Sequence, residues 1–544
     1  MKVIIIGGVA GGATCAARLR RLDEQAEIVI IERGDYVSFA NCGMPYHVGG
    51  IITDRDDLLV QTREGFKRRF NIDVRLQHTV TAIDRAAKTV TVCRHDGSTA
   101  TESYDRLVLA PGAEPRAVTI PGLPADRTLR LRTLNDMDAI IARAETARGM
   151  TVLGAGFVGV EVAENLRHRG LEVQLIEFAP QAVAPLDAEM AALVQRELKD
   201  NGIDCHFGTT VEQAEPAGAR LKLTLADGST LFTDAVVAAV GVVPETALAK
   251  QSGLDLGPSG GIVVNERLQT SDPAIYAAGD AVEIRQRVSG RPALTPLAGP
   301  ANKQARIIAD NLAGGNSVYH GAIGSAILKV FGLTVGATGL NARQCRQLHI
   351  DQQSVIIHAG SHAGYYPGAQ PVSVKLVFAP DGKLLGGQVV GTTGADKRLD
   401  VLAAIIGLGG TIADLCAFEQ AYAPPYSSAK DPVNLAGFAA ENLQRGLVRG
   451  VEYDAVDRWQ EEGAQVLDVR TPGEFARGHI PGAINIPLDD LRGRLADLPH
   501  DRKIIVHCQV GLRSYLASRI LLQCGFTEVY NLSGGYRTYE AARG

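Results

Sequence analysis

Short apolar runs that end in glycine recur along the chain. Val3 to Ile6 is an unbroken β-branched run, the pattern of a strand buried on both faces. It gives way to Gly7-Gly8-Val9-Ala10-Gly11-Gly12 and then to an Ala, Arg and Leu pattern that predicts a helix. Ile28 to Ile31 repeats the strand pattern and stops at Glu32. The same order returns at Thr151 to Leu153, followed by Gly154-Ala155-Gly156-Phe157-Val158-Gly159, with a second strand at Glu172 to Ile176 that stops at Glu177. Residues 107 to 112 predict a strand ending in a small-residue crossing that includes Ala110 and Gly112, after which Pro115, Pro121 and Pro124 punctuate a connection to a new module. Val236 to Val240, followed by Gly241, reads as the exit strand of that module. Past Gly446 to Gly450 the pattern starts afresh, with strand runs at Val466 to Val469 and Ile504 to Val506. No apolar span approaches about 20 residues, so no transmembrane helix is predicted.

The glycine turns carry the first chemistry. A turn of small residues between strand and helix lets backbone N–H groups and the helix N-terminus approach a pyrophosphate, and an acid ending the next strand accepts ribose hydroxyls. In the first turn Gly7, Gly8, Ala10 and Gly12 line the bend, Val9 stands at the usual middle glycine, and Glu32 with Arg33 follows at the ribose position. The second turn is complete in Gly154, Gly156 and Gly159, and Glu177 would repel a 2′-phosphate, which predicts NADH over NADPH. Arg18 and Arg21 share a face of the first helix and serve either a phosphate or solvent; Arg20 points elsewhere.

Ser38-Phe39-Ala40-Asn41-Cys42-Gly43-Met44-Pro45 holds a lone cysteine in a small-residue loop. His47 stands five residues on, so no second thiol can close a disulfide across one helical turn. Cys42 is then either a small buried hydrophobe or a redox thiol whose sulfur partner comes from elsewhere. At 544 residues the chain divides into several domains. A net charge of −5 gives no general attraction for nucleic acid or membrane, so basic contacts must be local. The eight cysteines are scattered without C-x-x-C spacing, which predicts a reducing, cytoplasmic setting and neither structural disulfides nor a metal site. Met1 leads into only a few apolar residues, so no secretory start is expected.

Together with Tyr276-Ala277-Ala278-Gly279-Asp280, the two glycine turns and their acids resemble the signature set of the two-dinucleotide-domain flavoprotein reductases over residues 1 to about 445. The resemblance implies FAD across the first site with Asp280 on its ribitol or pyrophosphate, and NADH in the inserted module. The single-cysteine loop is similar to that of the coenzyme A disulfide and NADH-dependent persulfide reductases and of the NADH peroxidases and oxidases. The last two carry a histidine where this chain has Ala10. His362 to Pro367 and Tyr422 to Ser427 resemble the paired-tyrosine segments of the coenzyme A enzymes, in which phenols from the partner subunit of a homodimer face the cysteine. The role passes to Tyr366 and Tyr426, with Tyr365 and Tyr422 close enough to stand in for them. The resemblance also gives Arg18, Arg21, Ser38, Asn41, Arg63 and Arg306 the task of holding the phosphates and pantetheine arm of coenzyme A.

The last 95 or so residues resemble the rhodanese family through Val466 to Arg470, Gly473-Glu474-Phe475, Gly478 to Ala483 and Ile504 to Cys508. Cys508-Gln509-Val510-Gly511-Leu512-Arg513 has the C-x4-R spacing of sulfurtransferases, one residue short of the phosphatase loop. Loop N–H groups and Arg513 are expected to stabilise an anionic persulfide on Cys508, in a loop expected to be exposed and open to large donors. The expected architecture is α/β: two Rossmann-like dinucleotide-binding domains, FAD-binding at 1–112 and 244–322 and NADH-binding at 113–243, an α+β dimerisation domain at 323–446, and an α/β rhodanese domain at 451–544. The expected activity is FAD-dependent reduction of coenzyme A disulfide, coenzyme A persulfide or polysulfide by NADH. Two alternatives remain at this point: a peroxidase or oxidase acting through a Cys42 sulfenate, and a redox-sensing adaptor without catalysis.

Overall fold

The computed structural model describes residues 1–543 and groups them into two units, 1–180 with 202–324 and 181–201 with the residues from 325 on; residue 544, the expected end of the rhodanese domain, lies outside the described residues.

In the first unit the strand order is Ile275–Ala277, Arg106–Leu109, Lys2–Ile6, Glu27–Ile31, Asp73–Arg75, all parallel. Val3, Ile5, Ile28 and Ile30 fill one face and Ile4, Ile6, Val29 and Ile31 the other, which is why these strands read as unbroken apolar runs. The helices Ala10–Leu22 and Ala298–Leu312 close the first face. A second parallel sheet runs Ile203–Phe207, Glu172–Glu177, Gly149–Leu153, Ala235–Ala238, Thr128–Arg130. Each of these two sheets is accompanied by a three-stranded antiparallel sheet, Thr79–Asp84 with Thr89–Cys93 and Thr99–Ser103, and Val211–Ala217 with Arg220–Leu225 and Thr230–Thr233. The chain leaves the first sheet and returns to it through an antiparallel pair, Ala113–Pro115 with Val242–Pro244, so the second sheet is an insertion in the first.

The second unit holds an antiparallel sheet ordered Ala326–Val330, Leu333–Gly339, Leu384–Gly391, Pro371–Phe378, Gln353–Gly360, and a parallel sheet ordered Arg449–Val451, Val529–Leu532, Ile504–His507, Gln465–Asp468, Ile484–Asn485. The two sheets are pinned together. His358 bridges the Ser373 hydroxyl at 2.7 Å and the Thr538 hydroxyl at 2.8 Å, Ile356 N–H donates to Ser533 Oγ at 3.0 Å, and Ser354 Oγ donates to Glu452 at 2.8 Å. Buried Lys375 on the antiparallel sheet pairs with Asp187 and Glu189 at the start of the helix Ala188–Asp200, which belongs to this unit although it lies within the expected NADH-binding range.

Candidate functional site

A cavity of about 780 Å³ opens at the C-terminal ends of the first sheet, lined by Gly7, Gly8, Ala10, Glu32, Arg33, Asn41, Ala110, Gly112, Arg132 and Asp280 among others. Its floor needs glycine. Gly7 has φ +96°, a Cβ on it would lie 2.1 Å from Ala110 O, and one on Gly12 would lie 1.8 Å from Gly7 O. The second turn repeats this: a Cβ on Gly159 would lie 1.8 Å from Gly154 O, whereas Gly156 faces open space, room for a ligand to approach the backbone. Gly241, φ +95°, also faces open space just beyond the exit strand. Val9 is the N-cap residue of the helix Ala10–Leu22, without a side-chain capping bond, and lines the cavity.

Both acids brace their turns. Glu32 accepts from Gly8 N–H at 2.8 Å and Gly34 N–H at 2.7 Å; Glu177 accepts from Ala155 N–H at 2.7 Å and Ala179 N–H at 2.8 Å. A carboxylate has about four acceptor positions, so each acid keeps capacity for a ribose hydroxyl. Arg33 is partly neutralised by Glu114 and Glu245. Asp280 is reached through Gly279, whose N–H donates to buried Gln304 at 2.8 Å; burial pushes its carboxyl up and the Arg132 guanidinium opposes the shift. Arg132 was invisible to motif reading because it sits in a connection far from either glycine turn, yet its buried Nε has no partner within the protein. The glycine floor, the braced acid and this unpartnered cation fit a dinucleotide with a pyrophosphate.

The cysteine loop folds back over the same turn. Ser38 takes φ +49° and its N–H donates to Gly8 O at 2.8 Å, which brings Asn41 to the cavity wall. Cys42 follows, exposed, in the single helical turn before Met44–Val48. Partial burial pushes its thiol up, and the charges of Glu161 and Asp280 add to this. Glu161, which sequence reading passed over, accepts from Tyr46 Oη at 3.1 Å, and burial pushes it up to about 6. Arg18 is already paired with Asp310 at 2.8 Å, whereas Arg21, Arg63 and Arg306 are exposed. Arg306 lies on the helix Ala298–Leu312 one turn from Asn302 and one from Asp310, which bond Thr14 and Arg18 of the first helix.

In the second unit Arg398, 1% exposed, ties the two tyrosine segments together. It donates to Ser361 O at 2.8 Å and pairs with Asp431, which accepts from Ser427; Ala363 N–H donates to Ser427 O at 3.0 Å. A cavity of about 600 Å³ beside them is lined by His362, Lys397, Tyr422 and Tyr426. Tyr365 and Tyr422 share a 2.6 Å hydrogen bond that raises the Tyr422 phenol, while Tyr366 packs edge-on to His362 and Tyr426 stands free to solvent.

Cys508 corrects one expectation: its thiol is fully buried, not presented on an exposed loop. Tyr536 N–H donates to Cys508 O at 2.8 Å and Arg537 N–H to Gln509 O at 3.0 Å, and Gly535 approaches so closely that a Cβ there would lie 2.6 Å from Cys508 O. The loop is drawn inward by these bonds. One backbone N–H and one hydroxyl of the loop region face the sulfur: Gly511 N–H donates to Cys508 Sγ at 3.1 Å, and Ser514 Oγ at 3.5 Å. Arg513 is bound by Glu474, which spans 39 residues and was not singled out as a site residue from the sequence.

Comparison with known proteins agrees with this organisation. The family model for pyridine nucleotide-disulphide oxidoreductases matches residues 1–301, that for their dimerisation domain 325–432, and that for rhodanese-like domains 452–542. The coenzyme A disulfide reductase of Staphylococcus epidermidis is 37% identical over 446 residues, 81% of this chain and all of that protein. The solved structure of reduced Bacillus anthracis CoADR-RHD superposes with a TM-score of 0.96 at 47% identity, over 99% of this chain and 98% of that one. An NAD-dependent persulfide reductase from A. fulgidus gives 0.94 at 38% identity, over 99% and 100%.

Proposed function

Because the chain belongs to the pyridine nucleotide-disulphide oxidoreductases and ends in a rhodanese-like domain, we propose that it is an NADH-dependent flavoprotein reducing coenzyme A disulfide, coenzyme A persulfide or polysulfide through Cys42, with Cys508 handling sulfane sulfur. The observation that carries this reading is the exposed thiol of Cys42, which directly follows Asn41 of the cavity wall and feels the charge of Asp280 in that cavity, with Ala10 in the glycine turn where a peroxide-handling histidine would stand. FAD, held by the first glycine turn, Glu32 and Asp280, would supply the two-electron link between NADH and sulfur. The Cys42 thiolate attacks a disulfide, one S–S bond breaks, coenzyme A leaves as its thiolate, and Cys42 is left in a mixed disulfide. Two electrons and one proton then return Cys42 to its thiolate and release the second thiol.

Tyr366 and Tyr426 hold or protonate the departing thiolate across a homodimer, a role that suits exposed phenols on segments braced by Arg398. Arg21, Arg63 and Arg306, with Ser38 and Asn41, receive the coenzyme A phosphates and arm; Arg18 acts there only by sharing its charge with Asp310. The absence of a disulfide among the described residues supports a cytoplasmic setting, and no helix among them is long and apolar enough to cross a membrane. Steady-state NADH oxidation with coenzyme A disulfide, coenzyme A persulfide, polysulfide, peroxide and oxygen tests the proposal. The sulfur substrates should dominate, and Cys42→Ser should retain flavin and hydride uptake while losing sulfur turnover by at least about a thousandfold. Full activity in that variant would remove Cys42 from the reaction.

A further inference from the structure

Arg513 is the only basic residue of the loop Cys508 to Arg513, and both its terminal nitrogens are engaged, Nη1 with Glu474 Oε2 at 2.8 Å and Nη2 with Glu474 Oε1 at 2.7 Å. The guanidinium holds the Glu474 carboxyl down at about 2, so the pair is neutral wherever a thiolate reacts. Arg470, which donates to Gln509 of the loop, is 2% exposed and forked onto Asp468. Each guanidinium bound to the loop or closing it thus faces its own carboxylate. Apolar side chains reach solvent in and just after the loop: Leu512 and Leu516, one helical turn apart, are 66% and 44% exposed, and half-buried Val510 precedes them.

We infer that Glu474 sets the donor specificity of Cys508: by cancelling the charge of Arg513 it favours persulfide sulfur carried on an uncharged thiol arm and disfavours a small dianion such as thiosulfate. The inference rests on the sulfurtransferase reading of Cys508. In the transfer, the Cys508 thiolate attacks the outer sulfur of R–S–S⁻, the S–S bond breaks, R–S⁻ departs, and the persulfide stays on Cys508 with no change in electron count. Two negative charges meet in the loop during that step. With thiosulfate the same attack expels sulfite and three must meet, against backbone N–H groups and a cation already paired. An uncharged arm can also cover the exposed Leu512 and Leu516 side chains, an apolar contact that thiosulfate has no arm to make.

The test uses the full chain and single-turnover persulfidation of Cys508, read by mass spectrometry, with thiosulfate and N-acetylcysteamine persulfide as donors. Glu474→Gln keeps an oxygen for the Thr471 N–H and hydroxyl that cap the helix Pro472–Ala476, so the fold is retained while Arg513 is released. The thiosulfate-to-persulfide rate ratio should rise about tenfold or more, and adding Arg513→Gln to Glu474→Gln should abolish the gain. In the unmodified protein the thiosulfate rate should climb with ionic strength more steeply than the persulfide rate. An unmoved ratio, or equal salt slopes, overturns the inference while leaving sulfur transfer intact. Undiminished sulfur uptake by Cys508→Ser would overturn the sulfurtransferase reading itself.

Discussion

Replacing Glu177 by alanine should narrow the preference for NADH over NADPH by roughly ten- to a hundredfold in kcat/KM. Two backbone donors, Ala155 N–H at 2.7 Å and Ala179 N–H at 2.8 Å, fix the carboxylate at the end of the strand Glu172–Glu177. It therefore cannot swing away from a 2′-phosphate. At a separation of about 5 Å and an effective dielectric of about 20, one pair of like charges costs about 3 kcal/mol, and screening reduces this to about 1 to 3 kcal/mol. The same change leaves the Ala155 N–H buried and unpaired, a stability cost of about 1–3 kcal/mol. Initial rates with both nucleotides at several concentrations, with thermal unfolding in parallel, separate the two effects. A lowered melting temperature with an unchanged nucleotide ratio would refute the assignment of Glu177 to the ribose.

Gly12→Ala should yield protein without flavin, since the new Cβ would lie 1.8 Å from Gly7 O; absorbance of bound flavin per chain checks this, and full occupancy would show that the turn can yield. Arg398→Met should cost about 3–5 kcal/mol by leaving Asp431 buried and unpaired, and should expose both tyrosine segments to proteolysis. His358 is pushed down to about 3 by burial, with Arg537 adding to the shift. Between about pH 6.5 and that value the unfolded chain takes up a proton that the folded chain refuses, so stability falls as pH drops, by up to about 1.4 kcal/mol per pH unit. Urea unfolding followed by the single tryptophan, Trp459, which packs on Tyr530, should show this slope flattened in His358→Gln.

Local backbone demands were legible in the chain. Gly7, Gly12, Gly154 and Gly159 had to be glycine because a strand turning at once into a helix brings backbone within 2.4 Å of where a Cβ would sit, and that requirement lies within a few consecutive residues. The acids at Glu32 and Glu177 were found the same way, by position at a strand end. The unbroken β-branched runs announced parallel strands buried on both faces, and the C-x4-R spacing announced the loop around Cys508.

Tertiary structure decided what depends on side chains meeting across long separations. Glu474 reaches Arg513 over 39 residues, Tyr46 reaches Glu161 over 115, and Arg398 reaches Asp431 over 33, and no local pattern fixes which charge finds which partner. Burial is set in the same way. Cys508 reads as an exposed nucleophile from its loop, but the loop's carbonyls are taken by N–H groups at the start of a helix that follows much later, and this draws the thiol inside. Sequence determined which chemistry the chain carries, because turns, strands and thiol spacing are short-range. The charge and access of each reactive group were left to packing, because an electrostatic environment is the sum of neighbours that only the folded chain brings together.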